Sequence, residues 1–232
     1  MKFSLNIFLF FVVFNVFSQE KKPLSPIIAV DSLYREDQFY LGFTYNSLIK
    51  RPSGIAQNKF SSGIAFGFLR DMPINKRRTI AIAPGLGFSY NKCFQNLYIK
   101  ETNQEITYST IPSGMDYSKN KLDQFYVDVP LEFRWRNSTP KSQEFWRIYS
   151  GVKMSYLIWD KYTHIDSESN FNITRNDDLN KFQLGTYLAI GYNTWNFYAY
   201  YGLTPFFKSS AKINNEAVGL NTLNLGLMFY IL

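Results

Sequence analysis

The chain has 232 residues, a formal net charge of +7, 46% hydrophobic residues and 19% aromatic residues. This length suits one β-barrel or β-sandwich domain, and because Cys93 is the only cysteine, an internal disulfide framework is excluded. The basic residues are scattered along the chain, so we expect attraction to anionic lipid headgroups or sugars and no binding to nucleic acid.

Residues 1–18 have the pattern of a secretory signal peptide. Lys2 provides the charged start, and an apolar run from Ile7 to Phe14 precedes a cleavage site before Gln19. This run is shorter than the ~20 apolar residues that a membrane-spanning helix needs. The pattern therefore predicts export through the general secretory route. Residues 19–36 are polar and proline-containing, and we expect them to form a periplasmic lead-in to one domain at 37–232.

Eight segments of the predicted domain alternate between bulky apolar side chains and small or polar ones, as β-strands do. In residues 79–91, Leu86 and Phe88 share a bulky face, and the opposite face is mostly alanine and glycine. Small residues suit the crowded interior of a narrow barrel, while the bulky face meets lipid. The segments span about 38–47, 59–70, 79–91, 123–136, 145–159, 181–193, 195–206 and a last strand after Gly219.

The connections between these segments alternate in length. They are long or polar after the first, third, fifth and seventh strands, and shorter after the others. Bacterial outer-membrane barrels have long extracellular loops, short periplasmic turns and an even strand number. The sequence therefore predicts an all-β fold, an eight-stranded antiparallel transmembrane β-barrel in the outer membrane of a Gram-negative bacterium. We expect residues 92–120 to be a polar excursion without strands and residues 160–179 to be an acidic loop.

Charged side chains concentrate on the inward face of the fourth and fifth predicted strands. Both signs are present, as burial requires, and an eight-stranded barrel is just wide enough for its own side chains. We expect an ion-pair plug that fills the lumen, and a path for protons or small solutes is the alternative. The residues of this network are Asp128, Glu132, Arg134, Arg147 and Lys153.

The short connection at residues 71–78 holds three consecutive cations. On the predicted topology this turn faces the periplasm. Its charged residues are Asp71, Lys76, Arg77 and Arg78. They suit either a basic anchor at the membrane interface or a docking surface for a periplasmic or peptidoglycan-linked partner.

His164, the only histidine, lies in the predicted acidic loop near Asp166 and Ser169. A histidine with a serine or an acidic partner can support lipid-modifying catalysis, but a loop does not hold such a constellation in place. One histidine and one cysteine cannot form a zinc site, and the loop carboxylates match no calcium-binding motif. The sequence therefore predicts no catalytic, metal or cofactor site.

Three stretches resemble PorT-like outer-membrane β-barrel proteins, often labelled porin family. They are Arg-Asp-Met-Pro-Ile-Asn-Lys-Arg-Arg at 70–78, Phe-Tyr-Val-Asp-Val-Pro-Leu-Glu-Phe-Arg at 125–134 and Tyr-Ser-Gly-Val-Lys-Met-Ser-Tyr-Leu at 149–157. The resemblance covers about 39–232. It implies an eight-stranded outer-membrane barrel and supplies no catalytic residues. The family is named after a member required for type IX protein secretion and gliding.

The C-terminus resembles the assembly signal that the barrel-insertion machinery reads. Asn224, Gly226, Phe229 and Ile231 fit the polar, glycine, aromatic and hydrophobic positions of that signal. The chain ends on Leu232 where an aromatic residue is usual.

The resulting hypothesis is a non-enzymatic outer-membrane barrel with a side-chain-filled lumen. It acts through loops and turns as a structural or partner-binding component, within a type IX-like secretion or envelope-assembly complex. Its expected partners are outer-membrane lipid or lipopolysaccharide, the insertion machinery and proteins of that complex. The alternatives are a small solute channel or ligand-binding barrel, a lipid-modifying enzyme using His164, and a secreted soluble β-sandwich.

Overall fold

The computed structural model describes residues 36–57, 59–103, 105–112, 114–137 and 145–231. The predicted signal peptide, 1–18, and all of the lead-in except Glu36 lie outside this part of the chain. The strands are β1 (Gln38–Ile49), β2 (Ser62–Leu69), β3 (Met72–Pro73), β4 (Ile80–Phe94), β5 (Leu97–Thr102), β6 (Glu105–Thr110), β7 (Tyr117–Arg136), β8 (Trp146–Asp166), β9 (Asn170–Thr174), β10 (Phe182–Tyr192), β11 (Trp195–Gly202), β12 (Lys212–Ile213), β13 (Glu216–Ala217) and β14 (Asn221–Ile231).

Eight of these strands form a closed antiparallel barrel, in the order β1-β2-β4-β7-β8-β10-β11-β14. The last strand, β14, pairs with β1 and closes the ring, with Phe39 opposite Ile231 and Ile49 opposite Asn221. Closure removes the exposed strand edges that an open sheet would present. The eight-stranded prediction is therefore confirmed.

The predicted alternation of connections is also confirmed. One end of the barrel carries the connections 70–79, 137–145 and 193–194, and we call it the short-turn end. The other end, the long-loop end, carries 50–61, 95–116, 167–181 and 203–220. In outer-membrane barrels the short turns face the periplasm and the long loops face outward.

The two faces of the barrel wall differ as the sequence alternation predicts. Large apolar side chains point outward over the whole circumference, including Phe39, Leu86, Phe133, Ile148 and Phe197. The inward face carries alanine, glycine, tyrosine and charged residues, which are buried. Within the residues that the structure describes, no helix is both long enough and apolar enough to cross a membrane.

Two strands extend further than the alternation predicts. The fourth predicted strand begins at 123 and the fifth ends at 159, whereas β7 begins at Tyr117 and β8 ends at Asp166. The register of this pair shifts at Phe125/Tyr126, and Ile158 is the extra residue of the bulge. The bulge puts Ile158 and Trp159 side by side on the exposed face, so it interrupts the two-residue period on which the prediction rests.

The prediction that residues 92–120 and 160–179 lack strands was wrong. The first segment contains the hairpin β5–β6, which is a sheet of its own, and the second contains β9, which pairs with β8. These short strands are stabilised by a shared hydrophobic cluster rather than by the barrel ladder. The buried members of this loop core are Leu48, Ile55, Cys93, Leu97, Ile99, Leu122, Tyr126, Leu157, Tyr162, Ile173, Leu179, Phe206, Phe207, Ala211, Ile213, Val218 and Leu220.

Candidate functional site

The lumen near the short-turn end is occupied by a buried ion-pair cluster. Asp71 lies where the chain leaves β2, and its carboxylate accepts hydrogen bonds from both terminal nitrogens of Arg136, each at 2.8 Å. Arg134 donates to the same carboxylate at 3.1 Å from Nη1 and to Glu132 at 2.8 Å from Nε. All four side chains are at most 2% exposed. Buried charges of this kind persist only where they are paired.

Glu132 links the cluster to the tyrosines that fill the middle of the lumen. Its Oε1 accepts hydrogen bonds from the hydroxyls of Tyr187 at 3.1 Å and Tyr230 at 3.0 Å. Arg134 also stacks on the ring of Tyr149, with its Cζ 4.8 Å from the ring centroid. The plug is therefore a network of hydrogen bonds and ring contacts that rigidifies the barrel from inside.

Three members of the predicted charge network, Asp128, Arg147 and Lys153, lie apart from this cluster. Lys153 is 3.5 Å from Asp128 and its Nζ lies 4.5 Å above the ring of Tyr200, further toward the long-loop end. Arg147 is buried against aromatic rings, with its Cζ 4.5 Å from the centroid of Phe145. Among the described residues, Arg147 has no carboxylate within ion-pair distance, so cation–π contacts hold its charge.

The space left in the lumen is small. One cavity, lined by Tyr40, Asp128 and Tyr198 among others, and a second, lined by Asn91, Gln183 and others, each have about 20 Å³. A single water needs about 10–15 Å³ by this measure, so each cavity has room for about one water molecule. Lys153 borders both cavities and separates them.

The loop core closes the lumen above these cavities. Tyr126 belongs to the loop core and also lines the second of these cavities, the one beside Asn91 and Gln183. Leu122 and Tyr162, next along β7 and β8, are inward-facing and about 1% exposed. Apolar side chains at the mouth exclude water and ions because hydrating them is unfavourable. The described side chains therefore leave only small cavities in the lumen, beneath an apolar cover.

The predicted docking surface on the short turn is reduced by one residue. Asp71 is fully buried, so it belongs to the lumen cluster and cannot meet a partner. Burial favours a higher pKa for Asp71, but the hydrogen bonds and charge of Arg136, together with Arg134, hold this pKa below its ordinary value of 3.8. Lys76 and Arg77 are exposed. Arg78 is half-buried, and its carbonyl accepts a hydrogen bond from Arg136 Nε at 3.1 Å.

Glu36, the last residue of the predicted lead-in, contacts the lumen cluster. Glu36 is 4% exposed, its carbonyl accepts a hydrogen bond from Arg134 at 3.2 Å and its carboxylate lies 3.5 Å from Arg136. Sequence reasoning missed Glu36 because no strand pattern includes it. Arg136 lies two residues after Arg134 on the same inward face of β7. The alternation of side chains was therefore enough to include Arg136 in the predicted charge network, which omitted it.

The placement of His164 on a loop was wrong. It lies in β8, is 1% exposed, and its Nδ1 is 2.9 Å from Asn120 Oδ1 while its Nε2 is 2.8 Å from Asp166 Oδ2. Asn120 Nδ2 donates to the carbonyls of Gln95 and Leu97, so its Oδ1 is the acceptor. His164 thus joins β7 and β8 to the segment leading into the β5–β6 hairpin.

The surroundings of His164 suit a structural role rather than catalysis. Ser169 offers its main-chain N–H to Asp166 rather than its hydroxyl to the imidazole. The ring is enclosed by Tyr98, 4.8 Å away between centroids, and by Phe171. A nucleophile hydrogen-bonded to a base is the feature that catalysis of this type requires, and the described contacts of His164 include none. In the part of the chain that the structure describes, no group of three or more His, Cys, Asp or Glu side chains is placed to hold a metal ion.

The four residues of the C-terminal pattern lie on β14. Asn224 is buried in the lumen, and Gly226 lies opposite Thr44 of β1. Phe229 packs on Trp195 with ring centroids 4.7 Å apart, while Ile231 is exposed on the outer wall. The residues thus lie on the strand that closes the barrel against β1.

Comparison with solved structures adds little to this architecture. Three solved chains share 8% sequence identity with this one and cover 84% of it and 99% of their own length. One is described as "Asymmetric conductivity of engineered proteins", and the others are a double mutant and a triple mutant of Rh. blastica porin. Their TM-score is 0.15, which is too low to bear on fold or function. No curated protein matches the chain.

A family model gives the stronger result. The model for the outer membrane protein beta-barrel domain matches residues 17–208, most of the chain. This match agrees with a closed eight-stranded barrel whose outer wall is apolar and whose lumen is polar, the arrangement expected in an outer membrane. The chain belongs to the outer membrane protein beta-barrel domain family.

Proposed function

We propose that this protein is a non-enzymatic, non-conducting outer-membrane barrel that serves as a scaffold for partner proteins. The observation that carries the proposal is the filled lumen, in which the paired side chains of Asp71, Arg134 and Arg136 are buried below cavities of about 20 Å³. Without a pore, the barrel meets water-soluble proteins only at its two ends, because hydrocarbon covers its outer wall. We further infer that it reaches the outer membrane of a Gram-negative bacterium through the general secretory route, on the pattern of residues 1–18.

The short-turn end supplies one partner surface. Ile74 is 60% exposed and precedes the exposed cations Lys76 and Arg77. An exposed apolar side chain beside two cations suits an acidic protein surface with a small apolar contact. The resemblance of residues 70–78 to PorT-like proteins supports the proposal that this partner belongs to a type IX-like secretion or envelope-assembly complex.

Planar-bilayer recording tests the absence of a pore. We expect no steady conductance from the purified protein. We expect Glu132→Ala to create intermittent openings, because it removes one of the two carboxylates that bind Arg134 and frees the hydroxyls of Tyr187 and Tyr230. Steady wild-type conductance that depends on Glu132 would support the solute channel instead.

Site-specific photocrosslinking in cells tests the partner surface. A photoreactive residue at Lys76 should give a discrete adduct, and Arg77→Glu should abolish it because the charge attraction is reversed. The same residue at Thr194, on another turn of the same end, is the matched control. No adduct at Lys76, or equal adducts at both sites, would contradict the scaffold role.

A further inference from the structure

The outer wall at the long-loop end carries a cationic row on one side of the barrel. Lys92 on β4, Asp123 on β7 and Lys161 on β8 are direct cross-strand neighbours and form one row. Adjacent strands lie roughly 4.8 Å apart, so the two lysines are roughly 10 Å apart at the backbone. On the opposite wall, the upper row of Tyr201, Leu223 and Ser47 is uncharged.

The carboxylate in this row is already engaged. Asp123 is 3% exposed, accepts a hydrogen bond from the hydroxyl of Tyr90 at 2.8 Å and forms an ion pair with Lys121. Within the described ranges, no carboxylate lies within ion-pair distance of Lys92 or Lys161. Both lysines therefore keep their charge available to an anion outside the barrel.

A groove lies next to this cationic row, on the side of β8 that faces away from β7. It has a volume of about 500 Å³ and is bordered by Tyr156, Ile158 and Trp159 on its apolar side and by Arg175 and Lys181 on its cationic side. The groove exists because β10 pairs with β8 only up to Tyr156, above which β8 pairs with β9 instead.

The groove has two acidic groups, of which one is buried and hydrogen-bonded and the other is exposed beside a lysine. Asp160 is 7% exposed and accepts the main-chain N–H of Asn176 at 3.1 Å. Asp177 lies 3.8 Å from Lys181. Arg175 is exposed and, among the described residues, has no carboxylate within ion-pair distance. It thus adds a third available cation to Lys92 and Lys161, and we call these three residues the basic rim.

The row immediately below the basic rim is aromatic. Tyr90, Phe125 and Trp159 are cross-strand neighbours on β4, β7 and β8, and Phe88 stacks on Phe125 with ring centroids 6.0 Å apart. Aromatic side chains are enriched where hydrocarbon meets headgroups, and cations just beyond that level meet the negative charges of lipids. The rim is therefore placed at the height of lipid phosphates.

We propose that the basic rim binds a phosphate-bearing lipid of the outer leaflet. The phosphate lies among Lys92, Lys161 and Arg175, and the acyl chains lie along the aromatic row and in the groove beside Trp159. This site is on the opposite end of the barrel from the partner surface at Lys76 and Arg77, and it does not depend on that surface. The site thereby holds lipid on this side of the barrel and not on the opposite side.

Native mass spectrometry of the mature protein in non-ionic detergent tests the proposal, with lipid A carrying both phosphates as the probe. We expect the wild type to retain one lipid A molecule, and Lys92→Gln/Lys161→Gln/Arg175→Gln to lower retention about tenfold or more, since each cation near an anionic surface contributes substantially. The control, Lys76→Gln/Arg77→Gln, removes two exposed cations from the other end and should bind as the wild type does. Heat-modifiable migration in SDS confirms that every variant is folded.

Two further binding measurements identify which part of the lipid the basic rim recognises. Lipid A stripped of phosphates should be retained about tenfold less than the intact probe by the wild type. A large excess of inorganic phosphate should leave the intact lipid bound, because it lacks the acyl chains. Equal retention by the rim variant, equal retention of the phosphate-free lipid, or full displacement by inorganic phosphate would each overturn the proposal. None of these outcomes affects the crosslinking test at Lys76.

Discussion

Asp71 and Arg136 form a two-pronged ion pair inside the barrel, with both carboxylate oxygens 2.8 Å from guanidinium nitrogens and a sequence separation of 65. The pair joins the turn after β2 to the end of β7. Arg134 binds the same carboxylate. The two buried guanidinium groups are therefore neutralised by Asp71 together with Glu36 and Glu132.

Removing the Asp71 charge should strongly destabilise the barrel. Asp71→Asn leaves Arg136 and Arg134 buried without their main partner, and breaking a buried pair in this way costs about 3–5 kcal/mol. Urea unfolding in lipid vesicles measures the change. Asp177→Asn is the control, because that exposed carboxylate lies 3.8 Å from an exposed lysine and should show no measurable change. Equal stability of Asp71→Asn and the wild type would refute the plug as a stabilising element.

The same carboxyl group should make stability depend on pH. The pKa of Asp71 in the folded barrel lies below 3.8, its ordinary value. Its contribution to the free energy of unfolding is therefore complete above about pH 3.8 and is lost as the pH falls through the folded-state pKa. Thermal unfolding in detergent should show the transition temperature falling in that range. In Asp71→Asn this part of the pH dependence should disappear; if it persists, other carboxyl groups are responsible.

Gly226 should be required for barrel closure itself. A Cβ at this position would lie 1.9 Å from the carbonyl oxygen of Phe43 and 2.7 Å from the Cα of Thr44, both in the backbone of β1. Gly226→Ala should therefore lower the free energy of unfolding by about 2 kcal/mol or more, and purified protein should fold poorly into detergent without any insertion machinery. Normal folding in detergent combined with failed insertion in cells would show that the residue acts only as a signal.

The tryptophans should report the membrane environment of the outer wall. Trp135, Trp146, Trp159 and Trp195 are all substantially exposed on the outward face. Lipids with brominated acyl chains should quench most of their fluorescence, and acrylamide in the aqueous phase should quench little, since hydrocarbon covers these rings. Strong acrylamide quenching of protein reconstituted in vesicles would contradict the transmembrane arrangement.

His164→Ala should loosen the loop core and leave the barrel intact. The substitution removes one hydrogen-bond partner from Asn120 and one from Asp166, and the lost hydrogen bond to the buried Asn120 costs about 0.5–1.5 kcal/mol. We expect faster hydrogen exchange and proteolysis in residues 95–112, with unchanged heat-modifiable migration. Lys119→Ala, an exposed neighbour on β7, serves as the control. A change in lipid A composition in cells carrying His164→Ala would point to catalysis instead.

The alternation of side chains was enough to predict the barrel wall. Strand β10 lies within one residue of its predicted bounds, and β11 begins at the predicted residue and ends four residues early. Each crosses the membrane with one face in lipid, so the two-residue period continues unbroken along it. The inward charges Glu132 and Arg134 were found for the same reason. The loop core was not found, because Leu97, Ile99 and Ile173 pack against other loops, and such contacts follow no period along the chain.

Parity along a regular strand is enough to tell which residues face lipid and which face the lumen, and it fails only where a bulge such as the one at Ile158 interrupts it. Which lumen charges meet depends instead on how the folded barrel brings distant segments together. Asp71 pairs with Arg136 because barrel closure brings a turn and a distant strand end together, and Lys92 and Lys161 flank Asp123 because of the register across three strands. Pairing of this kind is set by strand register and shear, which the residues along one strand do not specify.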